Sequence, residues 1–154
     1  MAWICVMASH FKSSHPACNM DTQAIFRSNL PTALYERIYK KVHATQTCHI
    51  WTGSIQSGGY PNMWVKLPTG GKTFLTHRIV YTIVHGHCDG PVSHLCGNKR
   101  CVNWEHLRIE DPAINQSRNI CHHHHHCQHH ARAPDCIIPP WSTSQTKALL
   151  RATT

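Results

Sequence analysis

Ser93-His94-Leu95-Cys96, then Arg100-Cys101-Val102-Asn103-Trp104-Glu105-His106-Leu107, then Asn115, Cys121, Cys127, His129 and Cys136 form the stretch that decides how this chain folds. Cys96, Cys101 and His106 follow one another with four residues between each pair, so three soft or borderline donors meet across short loops. Tetrahedral zinc needs a fourth donor. Cys48, at the start of a strand-forming run and the only cysteine in its region, is the best candidate. Cys121, Cys127, His129 and Cys136 make a second, complete Cys3His set in one local loop, with His130 an alternative to His129. Sites with four protein ligands are structural, because no coordination position is left open.

A disulfide framework competes for the same cysteines. The odd total of nine and the interleaved histidines favour metal. Cys5, Cys18 and Cys88 are left over and read as small apolar residues or surface thiols.

The chain has 154 residues, enough for one domain with a thin core, and metal staples suit a chain with little regular secondary structure. Fifteen Lys and Arg against seven Asp and Glu give +8, and such an excess draws a protein toward polyanions, nucleic acid above all. Sixteen histidines add charge only as the pH falls toward their ordinary pKa of about 6.5. Met1 to Ala8 lack the basic start of a signal peptide, and no apolar run approaches the length of a membrane span.

Residues 1–30 carry no firm pattern and are expected to be irregular. From Pro31, Leu34, Ile38 and Val42 recur at helical spacing, with Arg37, Lys40 and Lys41 on a polar side. Three runs of strand formers, Cys48 to Thr52, Tyr60 to Leu67 and Lys72 to Thr76, are separated by glycine-bearing turns and predict antiparallel hairpins. His77 to His85 predicts a short helix closed by Gly86, and Pro91 to Leu95 a short extended piece. Asp111-Pro112 starts a helix to about Asn119, and the chain after Cys121, with five consecutive histidines, is expected to be irregular. The segment 137–154, holding Pro139-Pro140, Trp141 and Leu149-Leu150, reads as a C-terminal arm.

His94 lies two residues from Cys96 and is left over when the sulfur site is full; an imidazole free of metal can act as a general base. Asn115 offers a carbonyl oxygen of the kind a hard cation accepts. Taken alone these are two ordinary residues.

Ser93-His94-Leu95-Cys96, Arg100-Cys101-Val102-Asn103, His106-Leu107, Asn115, Arg118-Asn119 and Cys121 together resemble the His-Cys box homing endonucleases of the His-Me finger (ββα-metal) superfamily. Upstream, Cys48-His49-Ile50-Trp51-Thr52-Gly53, Gly59-Tyr60, His77-Arg78 and His85-Gly86 follow the order of phage-type HNH endonucleases. The likeness covers about residues 34–136. It implies an α+β fold, a zinc-stabilised ββα-metal core with antiparallel hairpins. It also implies a magnesium-dependent DNA endonuclease of homing type. His94 would activate water, and Asn115 would hold one Mg2+ bridging the scissile phosphate and the 3′ leaving oxygen. The two cysteine–histidine sets would hold two structural Zn2+, and Lys72 or Arg78 would steady the phosphate. Ser93 stands where many HNH enzymes carry an aspartate metal ligand, which matches the His-Cys box version.

Double-stranded DNA is the expected partner. Lys66, Lys72 and Arg78, with Asn62, Gln56, Thr73 and Thr76 between them, suit a ribbon in the major groove. Lys99, Arg100, Arg108 and Arg118 suit phosphates. The resemblance further implies a symmetric homodimer, an arm crossing to the partner, and a nucleus or other DNA-containing compartment. The rivals are a zinc-bound nucleic-acid-binding module without activity and a nonspecific HNH nuclease.

Overall fold

The computed structural model describes residues 30–67, 70–130 and 133–138. The irregular segment expected over residues 1–30 lies, but for Leu30, outside the described residues. So do Cys5, Cys18 and the arm beyond residue 138.

Leu34 and Ile38 lie one turn apart and are both buried, which fixes helix α1 (Leu30–Tyr39) on the core. Its polar side stays in solvent, and Arg37 Nη2 donates to the Trp64 carbonyl at 3.2 Å, tying the helix to the following hairpin. Strand β1 (Val42–Ala44) pairs antiparallel with β2 (His49–Trp51), and β3 (Asn62–Leu67) with β4 (Gly70–Leu75). The run starting at Cys48 therefore pairs backward with β1, a short strand that the turn signals did not reveal. On its other side β2 meets residues 100–102, through Trp51 N–H to Arg100 O at 2.9 Å and Val102 N–H to His49 O at 2.8 Å.

Alternation in β3 is regular: Met63, Val65 and Leu67 are buried while Trp64 and Lys66 are exposed. Helix α2 (Thr76–His85) buries Ile79, Val80 and Tyr81. It ends where Gly86, at φ +82°, turns its N–H back to the Thr82 carbonyl at 2.8 Å, a left-handed cap that glycine adopts without strain.

Strand β5 (Val92–His94) pairs with β6 (Leu107–Ile109) in the register Val92↔Ile109, Ser93↔Arg108 and His94↔Leu107. A 3-10 turn (Trp104–His106) precedes β6, and helix α3 (Pro112–His124) follows it. Asp111 caps α3, its Oδ1 accepting from Ala113 N–H at 2.7 Å. Two antiparallel strands leading into a helix make a ββα unit within an α+β fold with antiparallel hairpins, as the sequence led one to expect.

Past Cys121 the chain is not irregular at once. The helix continues through His124 and closes at His125, a left-handed residue whose N–H returns to the Cys121 carbonyl. His122 explains the extra turn, because its ring packs on Gly97. A Cβ at Gly97, already at φ +66°, would lie 2.6 Å from that ring. One of the five histidines is therefore a packing residue.

The apolar core joins α1, the hairpins and α2 through Ile38, Trp51, Val65, Val80, Val102 and Leu107. A second, smaller cluster contains Cys48, Cys96 and Cys101, with Ile50 and Ile137 against it. No helix among the described residues is long and apolar enough to cross a membrane.

Candidate metal centres and active site

Cys48 enters the first centre because β2 runs beside residues 100–102, with Ile50 bridged to Cys101. The side chain of Asn103 fixes the loop above it by donating to Thr47 O at 3.3 Å and accepting from Glu105 N–H at 3.2 Å. Cys48, Cys96, Cys101 and His106 converge there, all buried, with donor atoms within 4.8 Å of one another. His106 Nδ1 stands 3.7 Å from Cys48 Sγ and 3.6 Å from Cys101 Sγ. Zn–S and Zn–N bonds of ordinary length put the sulfur–nitrogen edge of a tetrahedron at about 3.6 Å, so the donor set fits zinc.

The charges agree. Hydrogen bonds with the Cys101 and Cys96 thiols pull the Cys48 thiol well below its usual range, while those with Cys101 and Cys48 keep the proton on Cys96. His106 is raised to about 9, chiefly by Cys101 and Cys48. Negative charge thus gathers on sulfur and positive charge on the imidazole, a pairing that a dication replaces when it displaces those protons.

The second centre departs from the expected ligand set at one position. Cys121, Cys127, His130 and Cys136 converge, with His130 Nε2 at 3.6 Å from Cys121 Sγ and 3.2 Å from Cys136 Sγ. His129 sits at φ +56° and turns outward, 78 % exposed, toward Asp135. Adjacent residues in such a loop point to different sides, so spacing alone could not choose between them. Backbone N–H groups of Gln128 and Cys136 approach Cys121 and Cys127 sulfur at 3.4 and 3.3 Å, as Asn103 N–H approaches Cys101 at 3.4 Å. Burial pushes the Cys136 thiol up to about 12. The seven described cysteines are all free of disulfides.

His94 belongs to neither donor set. Its ring is 8 % exposed and its Nε2 lies 3.1 Å from the Cys101 carbonyl. A carbonyl only accepts, so Nε2 carries the proton and Nδ1 keeps its lone pair. Burial pushes the imidazole down to about 4, partly offset by that same hydrogen bond. Neutral pH therefore leaves the ring uncharged and basic at Nδ1.

Sequence reasoning assigned no role to two neighbours of this ring. His77, at the start of α2, is 2 % exposed and stands 4.8 Å from His94 between ring centroids, its Nδ1 without a partner. Burial, then the His94 charge, lowers it to about 3. Tyr60 packs 5.5 Å from His77 and 6.2 Å from His94, and Lys99 Nζ lies 5.1 Å above the Tyr60 ring. The signal available was their place in the motif order, Gly59-Tyr60 and His77-Arg78.

Asn115 occupies the first turn of α3, half-buried, its N–H bonded to Asp111 O. Nearby carboxylates are engaged: Asp111 caps the helix and Glu110 grips Arg118 through both oxygens. The amide oxygen of Asn115 is one hard donor at this helix start.

Several expected phosphate or base contacts have other partners. Arg118 is 1 % exposed, clamped by Glu110, the Pro134 carbonyl at 2.9 Å and Cys136 Sγ at 3.4 Å; it holds the second metal loop to the fold. Arg100 donates twice to Trp51 O, and Arg78 donates to Gly90 O at 2.9 Å and Cys88 O at 3.4 Å, bracing the loop before β5. Thr76 is fully buried. Lys66, Thr73 and Lys72 are exposed on the β3–β4 hairpin, with Lys72 Nζ 5.6 Å from the Phe74 ring.

The family described as "Zinc-binding loop region of homing endonuclease" matches residues 69–148, just over half of the chain. The chain is also 36% identical over 72 residues to "Protein 7.7" of Escherichia phage T7, a span covering 46% of this chain and 52% of that protein. It therefore spans about half the length of this curated relative. No solved structure matches. With His94 beside one built Cys3His cluster and a second cluster closing the same motif, the chain belongs to the family of the homing-endonuclease zinc-binding loop region.

Proposed function

We propose that the chain is the catalytic part of a magnesium-dependent DNA endonuclease of homing type, with His94 as general base and Asn115 as the ligand of the catalytic ion. The observation that carries this reading is the bond from His94 Nε2 to the Cys101 carbonyl, which leaves Nδ1 as a neutral acceptor free of zinc. Hydrolysis needs a water deprotonated opposite the departing oxygen. His94 Nδ1 takes the proton from that water as its oxygen bonds to phosphorus, and the bond from phosphorus to the 3′ oxygen breaks, the oxygen leaving with the electron pair and taking a proton from solvent water. Asn115 would hold the Mg2+, which would supply charge neutralisation as the phosphodiester bond breaks. Zinc held by Cys48, Cys96, Cys101 and His106 would fix the loop that follows His94, where the apolar core is small.

Duplex DNA is the proposed substrate. The net charge of +8 and the exposed face of the β3–β4 hairpin, with Lys66 and Thr73, support it. Lys72 or Arg78 remains the proposed phosphate-steadying residue, and Lys99, whose Nζ lies over the Tyr60 ring and donates to Gly58 O at 3.3 Å, joins them. A symmetric homodimer acting on near-palindromic sites, within a nucleus or another DNA-containing compartment, completes the proposal.

Supercoiled plasmid incubated with the protein and magnesium is the test. Cleavage that disappears in His94→Ala supports the enzyme, and discrete rather than scattered cut sites support the homing type. Binding without cleavage would leave a zinc-bound nucleic-acid module instead.

A further inference from the structure

We propose that the second cysteine–histidine centre carries a neighbouring, solvent-open site for a borderline divalent ion, built from Cys127, His129 and Asp135 and sharing the Cys127 sulfur. The three donor atoms lie within 4.8 Å of one another. His129 Nδ1 is 3.1 Å from each Asp135 oxygen, and Cys127 Sγ is 3.7 Å from Asp135 Oδ1. Zinc bonds of ordinary length give tetrahedral edges of about 3.3 Å for nitrogen–oxygen and about 3.5 Å for sulfur–oxygen, close to these spacings.

The charges call for a cation there. Once Cys127 is a zinc thiolate, three sulfurs against one dication leave the centre net negative, and the Asp135 carboxylate faces one of those sulfurs. A thiolate has three lone pairs. One serves the structural ion, one accepts the Cys136 N–H at 3.3 Å, and the third faces Asp135 Oδ1 at 3.7 Å, the contact a bridging ion would take over. A second ion there would bridge through sulfur and take a nitrogen and an oxygen from residues that are 78 % and 57 % exposed. Its remaining positions open to water, which makes it exchangeable, unlike the closed centre beside it. The sulfur, nitrogen and oxygen set suits Zn2+ or Co2+ and not Mg2+.

This rests on the reading of Cys121, Cys127, His130 and Cys136 as a zinc centre, and the experiment separates the two. Native mass spectrometry of the full chain under a Zn2+ titration should show two tightly held ions and a third, weaker one. His129→Ala and Asp135→Ala, both at exposed positions, should weaken the third ion by roughly tenfold or more and leave the first two in place. Replacing the exposed His123, His124 and His126 by Asn should leave it intact. Co2+ added to zinc-loaded protein should give a thiolate-to-cobalt absorption that Asp135→Ala removes. Two tight ions with no third, or a third that persists in both alanine variants, would overturn the open site and leave His129 and Asp135 as a surface ion pair. Loss of a tight ion in Asp135→Ala would also overturn it. Fewer than two tight ions in the unaltered protein would instead sink the zinc centre itself.

Discussion

The Nε2 atom of His94 is held 3.1 Å from the carbonyl oxygen of Cys101, a residue whose own sulfur belongs to the first metal centre. One residue thus supplies a donor to the cluster and, through its backbone, the acceptor that orients the His94 ring. Seven residues of sequence separate His94 from the residue whose carbonyl it meets. If His94 is the base, His94→Ala should lower DNA cleavage by roughly 10²- to 10⁴-fold, the range for removing a general base. Zinc content should change little, because His94 ligates neither centre. Cleavage at the unaltered rate would remove His94 from the mechanism.

Arg118 shows a different use of charge. Its guanidinium is buried against Glu110, Pro134 and Cys136, so it connects the end of β6 to the last ligand of the second centre. Removing one partner of a buried pair strands the other. Arg118→Ala should therefore cost on the order of 3–5 kcal/mol in stability, measured by denaturant unfolding of the zinc-loaded protein. A loss under about 1 kcal/mol would mean the pair is as weak as an exposed one.

The contrast between Arg118 and His94 shows what could be read from sequence. Cys48, Cys96, Cys101 and His106 were legible because zinc imposes ligand number and because short loops restrict which residues meet. His94 was legible as the histidine left over from that count, and helix α2 from its apolar face and closing Gly86. Arg118 was read as a phosphate contact because charge is visible in sequence and burial is not; its partner Glu110 sits eight residues away across a helix start. His77 and Tyr60 come to His94 from α2 and from the turn before β3, contacts that only the tertiary fold makes. The pairing of β2 with β1 was missed because three-residue strands carry almost no periodicity.

The buried histidine pair sets a stability slope with pH. His77 and His94 are lowered to about 3 and about 4 by burial, against an ordinary value near 6.5. Above about pH 6.5 neither folded nor unfolded chains bind the proton, so these residues leave stability unchanged. Below it the unfolded chain takes up protons that the folded one refuses, and stability falls as the pH drops toward 4. Zinc release also destabilises in acid, so the comparison must be made between two proteins that share it. His77→Gln should show a shallower fall of melting temperature between pH 6.5 and 4 than the unaltered chain. Parallel curves would show that His77 takes up its proton as readily in the folded as in the unfolded chain.

The choice of ligand at the second centre gives the sharpest test of the geometry. His130 Nε2 faces Cys121 and Cys136, and its Nδ1 stands 3.0 Å from Ser117 Oγ, which aligns the ring. Metal-binding histidines are commonly held in this way through their second nitrogen. His130→Ala should therefore lose one of two tightly bound zinc ions and loosen the end of α3, since Cys121 belongs to both. His129→Ala should keep both. Metal analysis after gel filtration distinguishes these outcomes. If His129→Ala lost a tight ion while His130→Ala kept two, the outward position of His129 at φ +56° would not be its position in the zinc-loaded protein.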